Sequence, residues 1–487
     1  MSNESNKLEG TKEKREALIK EIMSQKYDYI EITEKDKKAN ALYYSKVKPS
    51  FQFQDDFYYN LAMKYKSEVE SNTFFKDLQQ MPKGCLLHHH FVDCINIKWI
   101  TDTVMKEGNL ENIYMRRFRD KYDILIYTVK PNLTKENPDQ PFKEIIDQYL
   151  IENKDKTPYD YFFKKLTINY DEIENVKNNG EAWEVFMPKY FFCYFLIFYK
   201  EFYKEHVRNT FMQCVEDKQY RIESRLTPGC IRDENYEFIG IDEEMKIYQD
   251  ELKYINLLKL ETKFTFGIIF EIIRNKKDEF ITEKINLSME LKKKYPEIIC
   301  AVDFSGDEDH FRSLEELTPV MLKNTDPNLP FILHCGESLK AQNYNLIDGL
   351  LLNTKRFGHC INLFKLGKLY ETIKNKKIVL EINPISNQTL RQVRDLRLHP
   401  CIGYHNQGIK ICINNDDPTL YNTKGVAYDF FVSAAVMEFD LLDFKCFGLN
   451  SIDGAQINDE LNKEYKNKFL KSWNDFLDYF INKYESN

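Results

Sequence analysis

From Pro82 onward, short apolar runs alternate with longer stretches in which apolar residues recur every three or four positions. The runs are GCLLHHH, QYRIESRL, KFTFGIIFEII, IICAVDFSG, PFILHCGE, TKRFGHC, KKIVLEINP and IKICINNDD. Each reads as a strand, and the stretches between them have the period of a helix. Eight strands alternating with helices predict an α/β chain whose parallel strands close into a (β/α)8 TIM barrel. Barrels of this kind carry their chemistry at the C-terminal ends of the strands, so the residues that end each run are the candidates.

Ahead of the barrel, residues 1–12 are polar and predict disorder, while 13–80 alternate helical patterns with charge, as in REALIKEIMSQ, and predict a helical N-terminal region. The barrel then occupies 81–487. The gap between its first and second runs exceeds one crossover helix, and 101–180 within it, including VKPNLTKENPDQP, predicts an inserted subdomain that offers a surface to a protein partner. Glu181 to Val215 reads as one helix whose many Phe and Tyr residues pack a core. Its most apolar part, FMPKYFFCYFLIFY, is too short to cross a membrane and carries Pro188 and Lys189.

Charge and cysteine content narrow the setting. Lys and Arg total 69 against 77 Asp and Glu, a net charge of −8 over 487 residues, which argues against nucleic acid or an anionic membrane and for a small molecule. The 11 cysteines are scattered, odd in number and without a C-x-x-C pair, so they form neither a disulfide framework nor a thiolate metal site. With a polar, charged beginning in place of a secretory leader, the expected location is the cytoplasm.

The run ends supply the chemistry. Residues two apart on a strand share a side, so His88 and His90 face the barrel mouth while His89 turns outward. His334 adds a third imidazole and Asp416 a carboxylate, a set suited to one Zn²⁺ per chain with a coordination position left open. Glu337, one tight turn beyond His334, enters the same space as a general acid. His359 acts beside it as base or electrostatic anchor, and Asp417 remains free to hydrogen-bond a substrate. The chain has no H-E-x-x-H, HCGES lacks the last His of H-x-x-E-H, and no H-x-E with P-C-x-x-C occurs, which sets other zinc hydrolase classes aside.

The segments MPKGCLLHHH, VDFSGDED, FILHCGES, LIDGLLLNTKRFGHC, NPISNQTLRQVRDLRLHP and INNDDPTLYNTKGVAYDF resemble the adenosine deaminase family, and specifically its adenosine deaminase growth factor branch. The resemblance runs from about Glu13 to the C-terminus. It implies a metal-dependent hydrolase barrel with a helical N-terminal extension and an insertion after the first strand. It further implies zinc on His88, His90, His334 and Asp416, protonation of the purine by Glu337, and water handled by His359. Asp417 and the backbone N–H of Gly306 would contact the purine. The implied reaction turns adenosine or 2′-deoxyadenosine into inosine or 2′-deoxyinosine plus ammonia, in a homodimer formed through the N-terminal helices.

This chain departs from the pattern at Phe91, where the family has an acidic or amide residue for the ribose. It departs also at Cys335, Cys360, Asn414 and Asn415, and in the order of Arg221 and Glu223. Phe91 is expected to offer an apolar surface at the ribose end, which keeps a second reading open: deamination of another 6-aminopurine nucleoside or nucleotide. A third reading is a deaminase-fold structural or interaction protein with weak turnover or none.

Overall fold

The computed structural model describes residues 11–19, 21, 25–59, 62–258, 262–324 and 326–486. Eleven strands are present among them: β1 Gly84–Leu86, β2 Ile113–Phe118, β3 Tyr122–Tyr127, β4 Gln140–Pro141, β5 Gln219–Leu226, β6 Thr265–Ile273, β7 Ile299–Ser305, β8 Leu333–Cys335, β9 Arg356–His359, β10 Val379–Ile382 and β11 Ile411–Ile413. The eight apolar runs of the sequence are β1 and β5 to β11. They pair in parallel in the orders β1-β5-β6-β7 and β8-β9-β10-β11. Single parallel bridges join the halves, Val302 to Phe331 on one side and His89 to Asp416 on the other. The eight strands therefore enclose a barrel, closed where β1 and β11 deliver their last residues.

The barrel interior holds an unbroken line of buried ion pairs. Arg221 Nε lies 2.7 Å from Glu223, and Arg356 bridges Glu223 and Glu381 at 2.6 Å each. Arg225 then bridges Glu381 at 2.8 Å and Asp303 at 2.6 Å. Each of these ions costs several kcal/mol to bury and is compensated only because every neighbour carries the opposite charge with direct hydrogen bonds. The exchanged Arg221 and Glu223 belong to this line, below the mouth, and do not reach the cavity.

Between β1 and β5 the chain leaves the barrel. Strands β2, β3 and β4 form an antiparallel sheet in the order β3-β2-β4, packed by helices Phe142–Glu152 and Asn179–Ile197. Arg116 ties it together with a two-bonded contact to Asp139 at 2.6 and 2.8 Å. The aromatic stretch forms two helices, Asn179–Ile197 and Lys200–Glu216, where the sequence predicts one. The break falls at Phe198 and Tyr199 because the backbone there pairs with Arg232: Arg232 N–H donates to Phe198 O at 2.8 Å and Lys200 N–H to Arg232 O at 2.9 Å. A contact with a residue more than thirty positions away leaves no periodicity to read.

At the N-terminal end, residues 11–19 are helical, so the expected disorder of 1–12 falls outside the described residues except at its last two positions. Helix Glu34–Leu42 begins with a reciprocal Thr33 and Asp36 cap. It packs on helices Leu441–Gly454 and Asp459–Glu485 of the same chain. Asp36 is the pin: its carboxylate meets Lys445 at 2.6 Å and the Trp473 indole N–H at 2.8 Å, and all three side chains are buried.

Candidate metal centre and catalytic cavity

His88, His334, His359 and Asp416 bring their ligand atoms within 4.8 Å of one another, and His90, Asp416 and Asp417 do the same on the adjoining side. The backbone builds this cluster directly. His90 N–H donates to Asp416 O at 3.0 Å and Asp416 N–H to His88 O at 3.3 Å, so the ladder that closes the barrel also sets the spacing of the clustered side chains. Asp416, His359 and Cys360 all adopt left-handed φ, of 53°, 63° and 57°. Such conformations cost about 1–3 kcal/mol each in a residue with a side chain and are held by the packing around them. Gly358, next to His359, has no room for a methyl group, since a Cβ there would lie 2.9 Å from the His88 ring.

What surrounds the imidazoles decides how they face. His88 Nδ1 lies 2.8 Å from Glu381, and His334 Nδ1 lies 2.6 Å from Asp303. Burial works against the charge of both carboxylates, but Arg225 and His334 hold Asp303 well below the ordinary range, and Arg225, Arg356 and His88 hold Glu381 below it. As carboxylates they accept, so each Nδ1 carries the proton and each Nε2 lone pair points at the common centre. Burial lowers His334 to about 4, keeping it neutral. His88 Nε2 is buried with no hydrogen-bond partner. An orphaned imidazole nitrogen 3.1 Å from the Asp416 carboxylate fits a cation between them. His90 takes part from the other side, its Nε2 3.4 Å from Asp416 and its Nδ1 3.2 Å from Glu271. His89 faces away onto Ser224 at 2.9 Å.

His359 carries its proton on the other nitrogen. Cys401 N–H donates to His399 Nδ1 at 3.2 Å, so His399 Nε2–H donates to Asn387 Oδ1 at 3.1 Å. That fixes the Asn387 amide, whose NH₂ then donates to His359 Nδ1 at 2.9 Å and to Gln392 Oε1 at 2.8 Å. His359 therefore presents Nε2–H to the centre, 3.7 Å from both Glu337 and Asp416. The same chain reaches the acid, since Gln392 Nε2 donates to Glu337 Oε1 at 2.8 Å. The turn carrying Glu337 is held from below by Glu308, which accepts the backbone N–H groups of Gly336 and Glu337 at 3.2 Å.

Three carboxyls in one small space ionise differently. Burial opposes the charge of Asp416, but His88, His359 and His90 hold it well below the ordinary value. Glu337 and Asp417 are pushed well above theirs, first by burial and then by the Asp416 charge. Asp93, buried against Asp417, is raised to about 7, chiefly by burial. One carboxylate beside two carboxylic acids is a division of roles set by environment.

His90, His334, Glu337, His359, Asp416 and Asp417 line a cavity of about 1000 Å³. Gly306 stands on its wall with φ 101°. Tyr190, Phe191, Tyr194 and Phe195 of the first aromatic helix also line it, so part of that helix faces the cavity and not the core that its composition predicts. Phe91 does not line it. That ring is fully buried against Tyr203, His206, Tyr248 and Phe266, so the apolar ribose surface expected from Phe91 is corrected. Nor do Cys335, Cys360 and Asn414 line it: both thiols are buried behind the strands, and Asn414 Oδ1 accepts from the N–H groups of Leu87 and His88 at 2.9 and 3.1 Å. Sequence reasoning missed Asp303, Glu381, Arg225, Asn387 and Gln392. The signal for Asp303 and Glu381 was a lone charge inside an otherwise apolar strand.

A family profile described as adenosine deaminase matches residues 164–472, well over half the chain. The chain belongs to the adenosine deaminase family. Among full-length relatives, the "Adenosine deaminase 2" of Dictyostelium discoideum is 26% identical over 93% of this chain and 84% of that protein. The human "Adenosine deaminase 2" is 27% identical over 85% and 81%. These relatives support the growth factor branch. The barrel is similar to that of the N6-methyl-AMP deaminase of Arabidopsis thaliana, with a TM-score of 0.56, 16% identity, and 82% of this chain and 98% of that one covered. It is likewise similar to a zinc-bound amidohydrolase from a Burkholderia species, with a TM-score of 0.55, 14% identity, and 83% and 94% covered. As a member of the adenosine deaminase family the protein is a hydrolytic deaminase, and its His and Asp cluster is of a kind that holds a metal. Among the described residues, no helix is long and apolar enough to cross a membrane.

Proposed function

We propose that this protein is a zinc-dependent deaminase that converts adenosine or 2′-deoxyadenosine and water into inosine or 2′-deoxyinosine and ammonia. The observation that carries the reading is the cluster of His88, His334, His359 and Asp416 ligand atoms within 4.8 Å of one another, with the His88 Nε2 orphaned and Glu337 and Asp417 lining the same cavity. In this reading His88, His90, His334 and Asp416 hold the metal, which supplies Lewis-acid activation of water near neutral pH.

The ring nitrogens of a purine are hydrogen-bond acceptors, so a purine needs donors around it. Glu337, kept protonated by burial and aimed by Gln392, gives its proton to N1 beside the carbon that bears the amino group. Asp417, also a buried acid, donates to N7, and the Gly306 N–H to N3. His359, with its Nε2–H turned inward by Asn387, orients the attacking oxygen and stabilises its charge. This arrangement favours the anchor role over the base role for His359. The hydroxyl of water ends on the ring carbon, and the leaving amine departs as ammonia. We also place the protein in the cytoplasm, a reading that its 11 free cysteines support.

Metal add-back tests the reading. Chelator-stripped protein is expected to release no ammonia from adenosine, and stoichiometric Zn²⁺ to restore release where Mg²⁺ does not. Equal activity with and without zinc would refute it.

A further inference from the structure

The cavity is at the upper end of the size range of small-molecule pockets, and one side of its wall is cationic in a protein of net charge −8. Arg119, Arg232, Lys276 and Lys284 all line it. They come from four places: the β2 to β3 turn, the segment after β5, the segment after β6, and helix Asp278–Lys294.

Their partners are aromatic faces, with Arg232 also donating from Nη1 to Tyr236 O at 2.7 Å. The ammonium groups of Lys276 and Lys284 lie 5.4 and 5.2 Å from the same Phe280 ring. The Arg119 guanidinium lies 4.9 Å from Phe118 and 5.7 Å from Phe191, and that of Arg232 lies 3.7 Å from Phe238. Among the described residues, the one carboxylate in ion-pair range of the four is Glu283, 3.5 Å from Lys284. Of the cavity's other carboxylates outside the metal cluster and Glu337, Glu271 is engaged by His90 at 3.2 Å and Ser305 at 2.5 Å, Asp307 is engaged by His310 at 2.7 Å, and Glu184 is exposed. Burial lowers the Lys276 pKa, and the positive Arg119 nearby lowers it further. Like charges supported on rings, with a single carboxylate in range of the four, form a seat for an anion.

We propose that this wall binds the phosphate of a phosphorylated 6-aminopurine nucleoside, making a nucleotide such as adenosine 5′-monophosphate the preferred substrate over the free nucleoside. The inference rests on the deaminase reading only for the base end of the ligand; the phosphate end rests on the wall itself. The aromatic faces orient the cations without neutralising them, so the anion remains their main electrostatic partner.

Binding of the reaction products separates the two claims, because products bind without turnover. Calorimetry on the zinc-loaded full chain would compare inosine 5′-monophosphate, inosine and inorganic phosphate, at low and high salt, for the parent and for the Lys276→Gln/Lys284→Gln variant. The nucleotide is expected to bind about tenfold or more tighter than inosine, about 1.4 kcal/mol. Inorganic phosphate alone is expected to bind far more weakly. The preference should shrink with salt, as exposed charge contacts do, and largely disappear in the variant. Equal binding of nucleotide and nucleoside, a preference that the variant and salt leave intact, or binding of free phosphate as tight as the nucleotide's would each overturn the proposal. Ammonia release from adenosine without a phosphate preference overturns this inference alone. A phosphate preference with no ammonia released from adenosine or adenosine 5′-monophosphate overturns the deaminase reading alone.

Discussion

At the scale of single residues, the site works through groups one bond removed from the centre. Asp303 is the sharpest case. It fixes the proton of His334 on Nδ1 and shares Arg225 with Glu381, which does the same for His88. Asp303→Asn is expected to weaken zinc binding by about 10–100-fold, as losses of such supporting carboxylates do. Competition with a chelating dye measures this, with circular dichroism to show that the variant is folded, and undiminished affinity would remove Asp303 from the account. Asn387→Ala frees both ends of the amide that turns His359 and meets Gln392, and is expected to lower kcat by more than it changes KM. A change in KM alone would mean that Asn387 acts only in binding. The clustered residues themselves were legible because apolar runs ended on His, Glu or Asp. Their supports were not, because Asp303 and Glu381 sit inside strands and meet partners 31 and 293 positions away.

At the scale of elements, all eight barrel strands were legible as strand-like runs, but their lengths were not. Strands β1, β8 and β11 are three residues each because the chain leaves the regular ladder where it presents His88, Glu337 and Asp416. The break at Phe198 was hidden because a remote segment supplies its hydrogen bonds. The N-terminal helix shows the same dependence. Its own sequence gives a cap and mixed polarity, while its place is set by Asp36 between Lys445 and Trp473. Asp36→Ala leaves Lys445 buried without its partner, and such truncations cost about 3–5 kcal/mol. A lower denaturant midpoint with unchanged zinc content is the expected result, and an unchanged midpoint would show that the helix is held by apolar packing alone.

At the scale of the whole molecule, buried carboxylates of two kinds shape the pH dependence of stability. Asp303, Glu223 and Glu381 are held below their ordinary values by arginine and histidine, against burial. Their contribution is present above the unfolded carboxylate range and is lost as pH falls through the folded values. Glu244 is of the other kind, raised to about 7 by burial even though Gly229 N–H and Tyr248 O–H donate to it. Folded, it keeps its proton to about pH 7, whereas the unfolded chain releases it at about pH 4.3. Its contribution is therefore full below the unfolded value and is lost as pH rises through 7. Glu244→Gln should gain stability relative to the parent between pH 5 and pH 8, read from urea midpoints at both values; a pH-independent difference would contradict the assignment.

The central claim is that Glu337 supplies the proton while a separate set of residues holds the metal. Ammonia release and bound zinc, measured on the same preparations of parent and Glu337→Gln protein with adenosine and adenosine 5′-monophosphate, test it most directly. The account predicts one zinc per chain in both proteins and a loss of at least about a thousandfold in kcat for the variant, most of it proton transfer. Loss of zinc from the variant, or turnover that survives the change, would contradict it.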